Sequence, residues 1–189
     1  MNSRVVASLS ALVFALAAAP VPAADYVQAP GSALAFGGMY QGEAFSGRLP
    51  GFDTRLSFDP ADPASGRLEV TIPMAGATTT NPDYDSEMRG EAFLSVVAFP
   101  QARYTASGFR KLDDGSYAAD GMLSLHGVEK PVTLTFTWTP GPKPLLAGRA
   151  TVRRLDFGVG AGDWADTDLI PNEIAVSTRV FFEPVAGNR

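Results

Sequence analysis

The chain has 189 residues, one histidine, no cysteine and a formal charge of −5, and 46% of its residues are hydrophobic. That length and apolar fraction supply one domain with a core of its own. The missing cysteines exclude disulfides, thiol nucleophiles, Cys-ligated metals, iron–sulfur clusters and covalently attached haem, and an acidic balance with scattered charges offers no footprint for nucleic acid or an anionic membrane.

The first element is a targeting segment. Arg4 gives a positive start, Val5 to Ala19 form an apolar stretch, and Val21-Pro22-Ala23 place small residues at a cleavage position. This pattern predicts a Sec-type signal peptide over residues 1–23, cut after Ala23 or Ala24. The apolar stretch is short for a membrane span of roughly 20 residues. The expectation is therefore a mature domain over residues 24–189, periplasmic or secreted, with no stable membrane anchor after cleavage.

Strands follow in close succession. Candidates are Ala33 to Met39, Arg55 to Phe58, Arg67 to Met74, Ala102 to Phe109, Ser116 to Leu125, Val132 to Trp138, Ala147 to Leu155 and Glu173 to Glu183. Asp59-Pro60-Ala61-Asp62-Pro63 and Asp113-Asp114-Gly115 supply turns between them. Leu68, Val70, Ile72 and Met74 alternate with Arg67, Glu69 and Thr71; Ile174, Val176, Val180 and Phe182 alternate with Ala175, Ser177 and Arg179. Such alternation marks sheets that are dry on one face and wet on the other. Pro82 to Ala92 breaks the alternation; its early acids and the four-residue spacing of Tyr84 and Met88 predict a short helix flanking the sheet.

The clearest hairpin is Gly121-Met122-Leu123-Ser124-Leu125-His126-Gly127-Val128-Glu129-Lys130-Pro131-Val132-Thr133-Leu134. Val132, Leu134, Phe136 and Trp138 share one face of its second strand, with Thr133, Thr135 and Thr137 opposite. Many short antiparallel strands make an all-β sandwich or barrel, and periodicity alone does not choose between them.

The Gly-x-Leu-x-Leu-x-Gly-Val-x-Lys-Pro-Val-x-Leu pattern of this hairpin resembles the central motif of the YceI-like family. Phe58-Asp59-Pro60, Phe99-Pro100-Gln101-Ala102-Arg103-Tyr104, Arg154-Leu155-Asp156-Phe157-Gly158 and Ile170-Pro171-Asn172-Glu173-Ile174 resemble further family segments, in order. The resemblance implies a lipocalin-like antiparallel β-barrel of about eight strands that holds a long polyisoprenoid or similar lipid. Two histidines of the family pattern are absent: the chain reads Gly31-Ser32 where His-Ser is usual, and Tyr84-Asp85-Ser86-Glu87-Met88 where Arg-Asp-x-His-Leu is usual. A different head group, or none, is implied.

Chemistry-bearing residues are few. His126 sits in the hairpin turn and is expected to be exposed, so a Ser-His-Asp triad or a His-ligated zinc has little to build on. Asp163, Asp166 and Asp168 depart from calcium-loop spacing, which makes them a solvated loop. Asp85, Glu87 and Glu91 lie on the short helix and read as its solvated face; the alternative is an acid–base carboxylate pair serving a lipid-modifying hydrolase or isomerase. Arg153, Arg154 and Asp156 suggest a structural ion pair, with Arg154 alternatively clamping an acidic lipid head group.

The reading is a binding protein for a long-chain isoprenoid or related lipid. No catalytic residue, metal or required cofactor is assigned; a bound polyisoprenoid, quinone or fatty-acid-type lipid is the implied ligand, and a homodimer is left open. The candidate lining is Phe36, Phe58, Val70, Met88, Tyr104, Phe136, Trp138, Phe157 and Phe182, large or apolar side chains that suit floppy ligands. The head group is expected near the mouth. The lipid-modifying enzyme and a scaffold barrel with a filled core are the rival readings.

Overall fold

Alternating burial runs through the strands, leaving one face of the sheet dry and the other wet. The structure, a computed structural model, describes residues 24–79 and 81–185; the expected signal peptide lies outside the described residues. Strands β1 (Ala24–Gln28), β2 (Ala33–Tyr40), β3 (Glu43–Arg48), β4 (Asp53–Phe58), β5 (Arg67–Pro73) and β6 (Thr78–Thr79) precede helix α1 (Pro82–Arg89). Strands β7 (Gln101–Lys111), β8 (Tyr117–Leu125), β9 (Val128–Thr139), β10 (Leu145–Arg153) and β11 (Glu173–Pro184) follow it.

All pairings are antiparallel, and the ring β1-β4-β5-β7-β8-β9-β10-β11 closes through β1 and β11. Three walls are broken strands. β11 pairs with β2 through Ala175–Arg179 and with β1 through Phe182–Pro184, so β1 and β2 occupy one position in two pieces. β4 and β3 pair with those pieces in turn, and β6 continues the line of β5 against β3. The result is the expected closed eight-stranded antiparallel barrel with one short helix.

The facing pattern matches the alternation in the sequence. Leu68, Ile72, Leu134, Phe136 and Val180 are buried, Val70 and Val176 are half-buried, and Thr133, Thr135 and Arg179 are exposed. The β8–β9 hairpin turns on two residues, His126 (φ 52°) and Gly127 (φ 75°), the left-handed pair that a two-residue turn matched to strand twist requires. His126 is in the turn as expected, but it is half-buried. Its ring packs edge-on against Phe99, centroids 4.7 Å apart, and its Nδ1 lies 3.0 Å from the Phe157 carbonyl. The turn folds back onto the 154–157 segment, which the local pattern does not encode.

Helix α1 begins as its sequence dictates. Asn81 caps it by accepting from the Asp83 N–H at 3.0 Å, Pro82 occupies the first turn, and Gly90 ends it. The helix is moored to β6 by Asp85. One carboxylate oxygen accepts from Thr78 Oγ1 at 2.6 Å; the other accepts from the Thr79 N–H at 2.5 Å and Thr79 Oγ1 at 2.8 Å.

Candidate functional site

The two ends of the barrel are built differently. Tyr26, Phe58, Phe109, Tyr117, Phe136, Trp138 and Phe182 meet at the end away from α1. Phe58 is the hub, with ring centroids 5.0 Å from Tyr117, 5.4 Å from Trp138, 5.6 Å from Phe109 and 5.8 Å from Phe136. Edge-to-face contact dominates, the arrangement aromatic quadrupoles favour. This cluster is a solid floor.

Above it lies a cavity of about 430 Å³ that runs to the α1 end. Its walls are almost wholly apolar: Leu34 and Phe36 from β2, Val70 from β5, Tyr104 from β7, Leu134 from β9 and Val176 from β11 all reach it. Phe36 turns inward over Gly47 of β3, where any Cβ would lie 2.2 Å from the ring, so the close approach needs glycine. At the mouth stand Tyr40, Asp83, Tyr84, Glu87 and Met88, with Phe93 and Trp164 from the loops beside them. Tyr40 and Tyr84 meet edge-on at 5.8 Å, and Phe93 and Trp164 meet tilted at 5.3 Å.

The candidate lining residues therefore divide. Phe36, Val70, Met88 and Tyr104 line the cavity. Phe58, Phe136, Trp138 and Phe182 do not; they form the floor, because parity in a strand fixes which face a side chain takes but not its height in the barrel. Phe157 also stays out of the cavity; it is buried in the turn after β10. Tyr40, Phe45 and Trp164 line the cavity without having been singled out by pattern. Thr54 is a further one: it lies inward between Phe52 and Leu56, and the shared parity was the available signal.

Polar groups at the site are mostly committed. The single Tyr104 O–H is shared between the carbonyls of Ala119 at 2.7 Å and Val132 at 3.0 Å, and burial pushes its pKa up to about 12. Arg154 is buried, and neither suggested role holds for it. The ion pair with Asp156 belongs to Arg153, at 3.5 Å. The Arg154 guanidinium instead donates to five carbonyls: Pro171 at 3.3 Å, Val159 at 3.1 Å, Gly160 at 2.6 Å, Trp164 at 2.8 Å and Ile170 at 2.8 Å. Five acceptors use the full donor set of a guanidinium, leaving none for a ligand. Desolvation lowers its pKa.

Asp85 is likewise spoken for. Its hydrogen bonds to Thr78 and Thr79 hold its pKa below the ordinary value, the reverse of what a general acid needs. Asp163, Asp166 and Asp168 are exposed, and among the described residues no three His, Asp or Glu side chains converge on a metal position. Thr54 is the exception among the cavity's polar groups: it is 1% exposed, and its Oγ1 has no hydrogen-bond partner.

A closed antiparallel barrel with a solid aromatic floor and an apolar cavity open toward one end defines a lipocalin-like barrel. Residues 26–182 match the model of the YceI-like domain, and the chain belongs to that family. A UPF0312 protein of Shewanella denitrificans is 33% identical over 138 residues, covering 71% of this chain and 72% of that protein. A UPF0312 protein of Yersinia pestis is 39% identical over 88 residues, covering 47% of this chain and 45% of the relative, so that match spans about half its length.

Among solved structures, Burkholderia cenocepacia BcnA superposes with a TM-score of 0.76 at 24% identity, covering 79% of this chain and 95% of BcnA. A polyisoprenoid binding domain from Saccharophagus degradans gives 0.65 at 16% identity, covering 86% and 99%. Likeness at these identities establishes the fold.

Proposed function

We propose that this protein binds and carries a long-chain isoprenoid or related lipid in the barrel cavity, in the periplasm or outside the cell after removal of residues 1–23. The observation that carries the reading is the apolar cavity of about 430 Å³, blind at the aromatic floor and open beside α1. Ligand cavities usually measure about 300–1,000 Å³ and are mostly apolar with few polar groups. Each methylene moved from water into such a cavity contributes about 0.8 kcal/mol, so chain length against cavity length sets selectivity. A polyisoprenoid, a quinone tail or a fatty-acid-type chain meets this demand without a cofactor. The Saccharophagus degradans relative, a polyisoprenoid binding domain, supports the same class.

Binding is better supported than lipid modification. Of the helix carboxylates that the enzyme reading would use, Asp85 is the mooring of α1, and Asp83 and Glu87 stand at the mouth of an otherwise apolar cavity with no histidine beside them among its lining residues. The test is mass spectrometry of lipid extracted from protein purified without detergent. One long-chain lipid per chain is expected; protein that is empty as isolated and takes up no isoprenoid overturns the reading.

A further inference from the structure

The segment that joins α1 to β7 runs along the rim of the cavity mouth, and its backbone is braced. Leu94 and Val96 donate back to the carbonyls of Met88 and Arg89 at 3.0 and 3.2 Å, and Ser95 to that of Gly90 at 2.8 Å. Ala98 and Phe99 both donate to the Ser95 carbonyl, at 2.9 and 2.8 Å. Ser95 holds a left-handed φ of 43°, uncommon for a residue with a Cβ. Side chains anchor the segment as well. Phe93 and Leu94 line the cavity, and Phe99 packs on His126 of the β8–β9 turn.

Val97 points the other way. The bond from the Ala98 N–H to the Ser95 carbonyl closes a turn whose corner residues are Val96 and Val97. Such corners ordinarily take Gly, Pro, Asn, Asp or Ser. Val96 is half-buried against the core, but Val97 is 96% exposed; the other protruding large apolar side chains lie between 40% and 45%. From Ala92 to Pro100 no residue carries a charge. A lone exposed valine is ordinary. One held at the tip of a braced turn, against turn propensity and beside the opening of an apolar cavity, serves nothing in the fold, and such local rule-breaking marks functional positions.

We propose that this turn docks the protein on a bilayer of zwitterionic phospholipid, with Val97 entering the interfacial region and the cavity mouth brought to the surface from which lipid is drawn. This rests on the carrier reading. A long apolar chain leaves a lipid phase at high cost if it must cross water, so loading favours a mouth in contact with that phase. Val97, Leu94 and Phe93 give an uncharged path from tip to cavity within one loop.

The charges around the mouth decide the kind of surface. Asp83 and Glu87 stand at the mouth, and the exposed Glu91 opens the loop. Arg89 at the end of α1 offsets part of that charge. The excess is negative, which opposes an anionic surface and leaves apolar insertion as the driving force.

The test separates docking from binding. Protein purified without detergent is mixed with sucrose-loaded phosphatidylcholine vesicles, and the sedimenting fraction gives the partition coefficient. Transfer of geranylgeraniol between phosphatidylcholine vesicles, and its binding when delivered from cyclodextrin, are measured on the same proteins. Val97→Asp puts a charge at the tip; Val97→Leu keeps the tip apolar. Every variant carries the wild-type N-terminus, so the comparison reads position 97 alone. Both should melt at the wild-type temperature, because the side chain touches little of the fold.

Val97→Asp should lower partition about tenfold or more, the scale of one valine side chain removed from water, and should slow transfer by a similar factor. Val97→Leu should match or exceed wild type. Binding from cyclodextrin should be unchanged in both, since Val97 is not among the lining residues. Adding phosphatidylglycerol should weaken partition at low salt. Equal partition and transfer for wild type and Val97→Asp overturn the docking turn and leave the carrier reading intact. Self-association that depends on Val97, with no vesicle binding, also overturns it by making the turn a contact between copies. So does partition that rises with phosphatidylglycerol and ignores Val97. Failure of wild type to bind geranylgeraniol from cyclodextrin overturns the carrier reading itself.

Discussion

Arg154 donates from Nη1 to the carbonyl of Gly160 at 2.6 Å, and that bond is one of five by which a single buried guanidinium gathers the 159–171 segment. Val159, Trp164 and Ile170 of the same segment line the cavity. The residue is thus a positioning group for one wall of the mouth. Its charge lies among carbonyl dipoles, and among the described residues it forms no ion pair with a carboxylate.

Arg154→Met should remove the donors and leave several buried carbonyls unpaired. The expected loss is about 3 kcal/mol or more, since each unsatisfied buried group costs about 1–3 kcal/mol. Arg154→Lys keeps the charge but has three donors on one nitrogen, so it should recover only part of the loss. Urea unfolding of the three proteins checks this. Equal midpoints for wild type and Arg154→Met would mean that the five bonds contribute nothing.

The Asp85 mooring should be visible as acid sensitivity. Its hydrogen bonds to Thr78 and the Thr79 N–H lower its pKa from the ordinary 3.8 in the folded state. A carboxylate depressed by folding stabilises above its unfolded pKa, and that contribution disappears as pH falls through the folded pKa. Asp114 and Asp120 are lowered as well, by Ser116 and by Arg110 with Thr133 respectively, so they share the loss. Melting temperature should decline below about pH 4. Asp85→Asn should start lower at neutral pH and decline less steeply; parallel slopes would show that Asp85 does not contribute to the linkage.

The sequence made the walls legible and the depth illegible. Leu68, Ile72, Leu134 and Val180 announce their facing by parity, and each is buried as that parity requires. β1, β3 and β6 left little trace. β3 carries one large apolar residue, Phe45, and needs Gly47 where Phe36 presses against it; β6 is two residues long.

Depth is a property of register around the ring. Phe136 and Leu134 have the same parity on β9, yet one belongs to the floor and the other to the cavity. Only the pairing of Phe136 with Tyr117 and Gly148 sets its height. Arg154 was misread for a related reason. A charged residue beside Asp156 suggests a pair, but the five carbonyls it serves come from residues 159–171 folding around it.

The floor should set the longest chain that fits. Phe136 is 1% exposed, directly along β9 from the cavity residue Leu134, and stacks on Tyr117 at 5.4 Å. Phe136→Ala should cost about 3–5 kcal/mol and open space below the present floor. Phe136→Leu, which removes less volume, keeps the test usable if the alanine variant is too unstable. Affinities for a series of primary alcohols of increasing length should show the optimum moving to longer chains in either variant. An unmoved optimum would mean that the cavity length is set elsewhere.

Filling the cavity should compete with the ligand. Val70 projects into it between Thr54 and Tyr104, and it is half-buried because the space beyond it is open. A tryptophan there has room that a packed core would deny, so Val70→Trp should lose no more than the 1–3 kcal/mol typical of an enlarged core side chain. If the indole displaces about three methylenes of bound chain, the lost burial is about 2.4 kcal/mol, or roughly 50-fold in affinity. Geranylgeraniol binding in a detergent-free assay reads the affinity, and thermal melting confirms the fold. Wild-type affinity in a stably folded Val70→Trp would place the ligand outside the barrel and remove the basis for carriage.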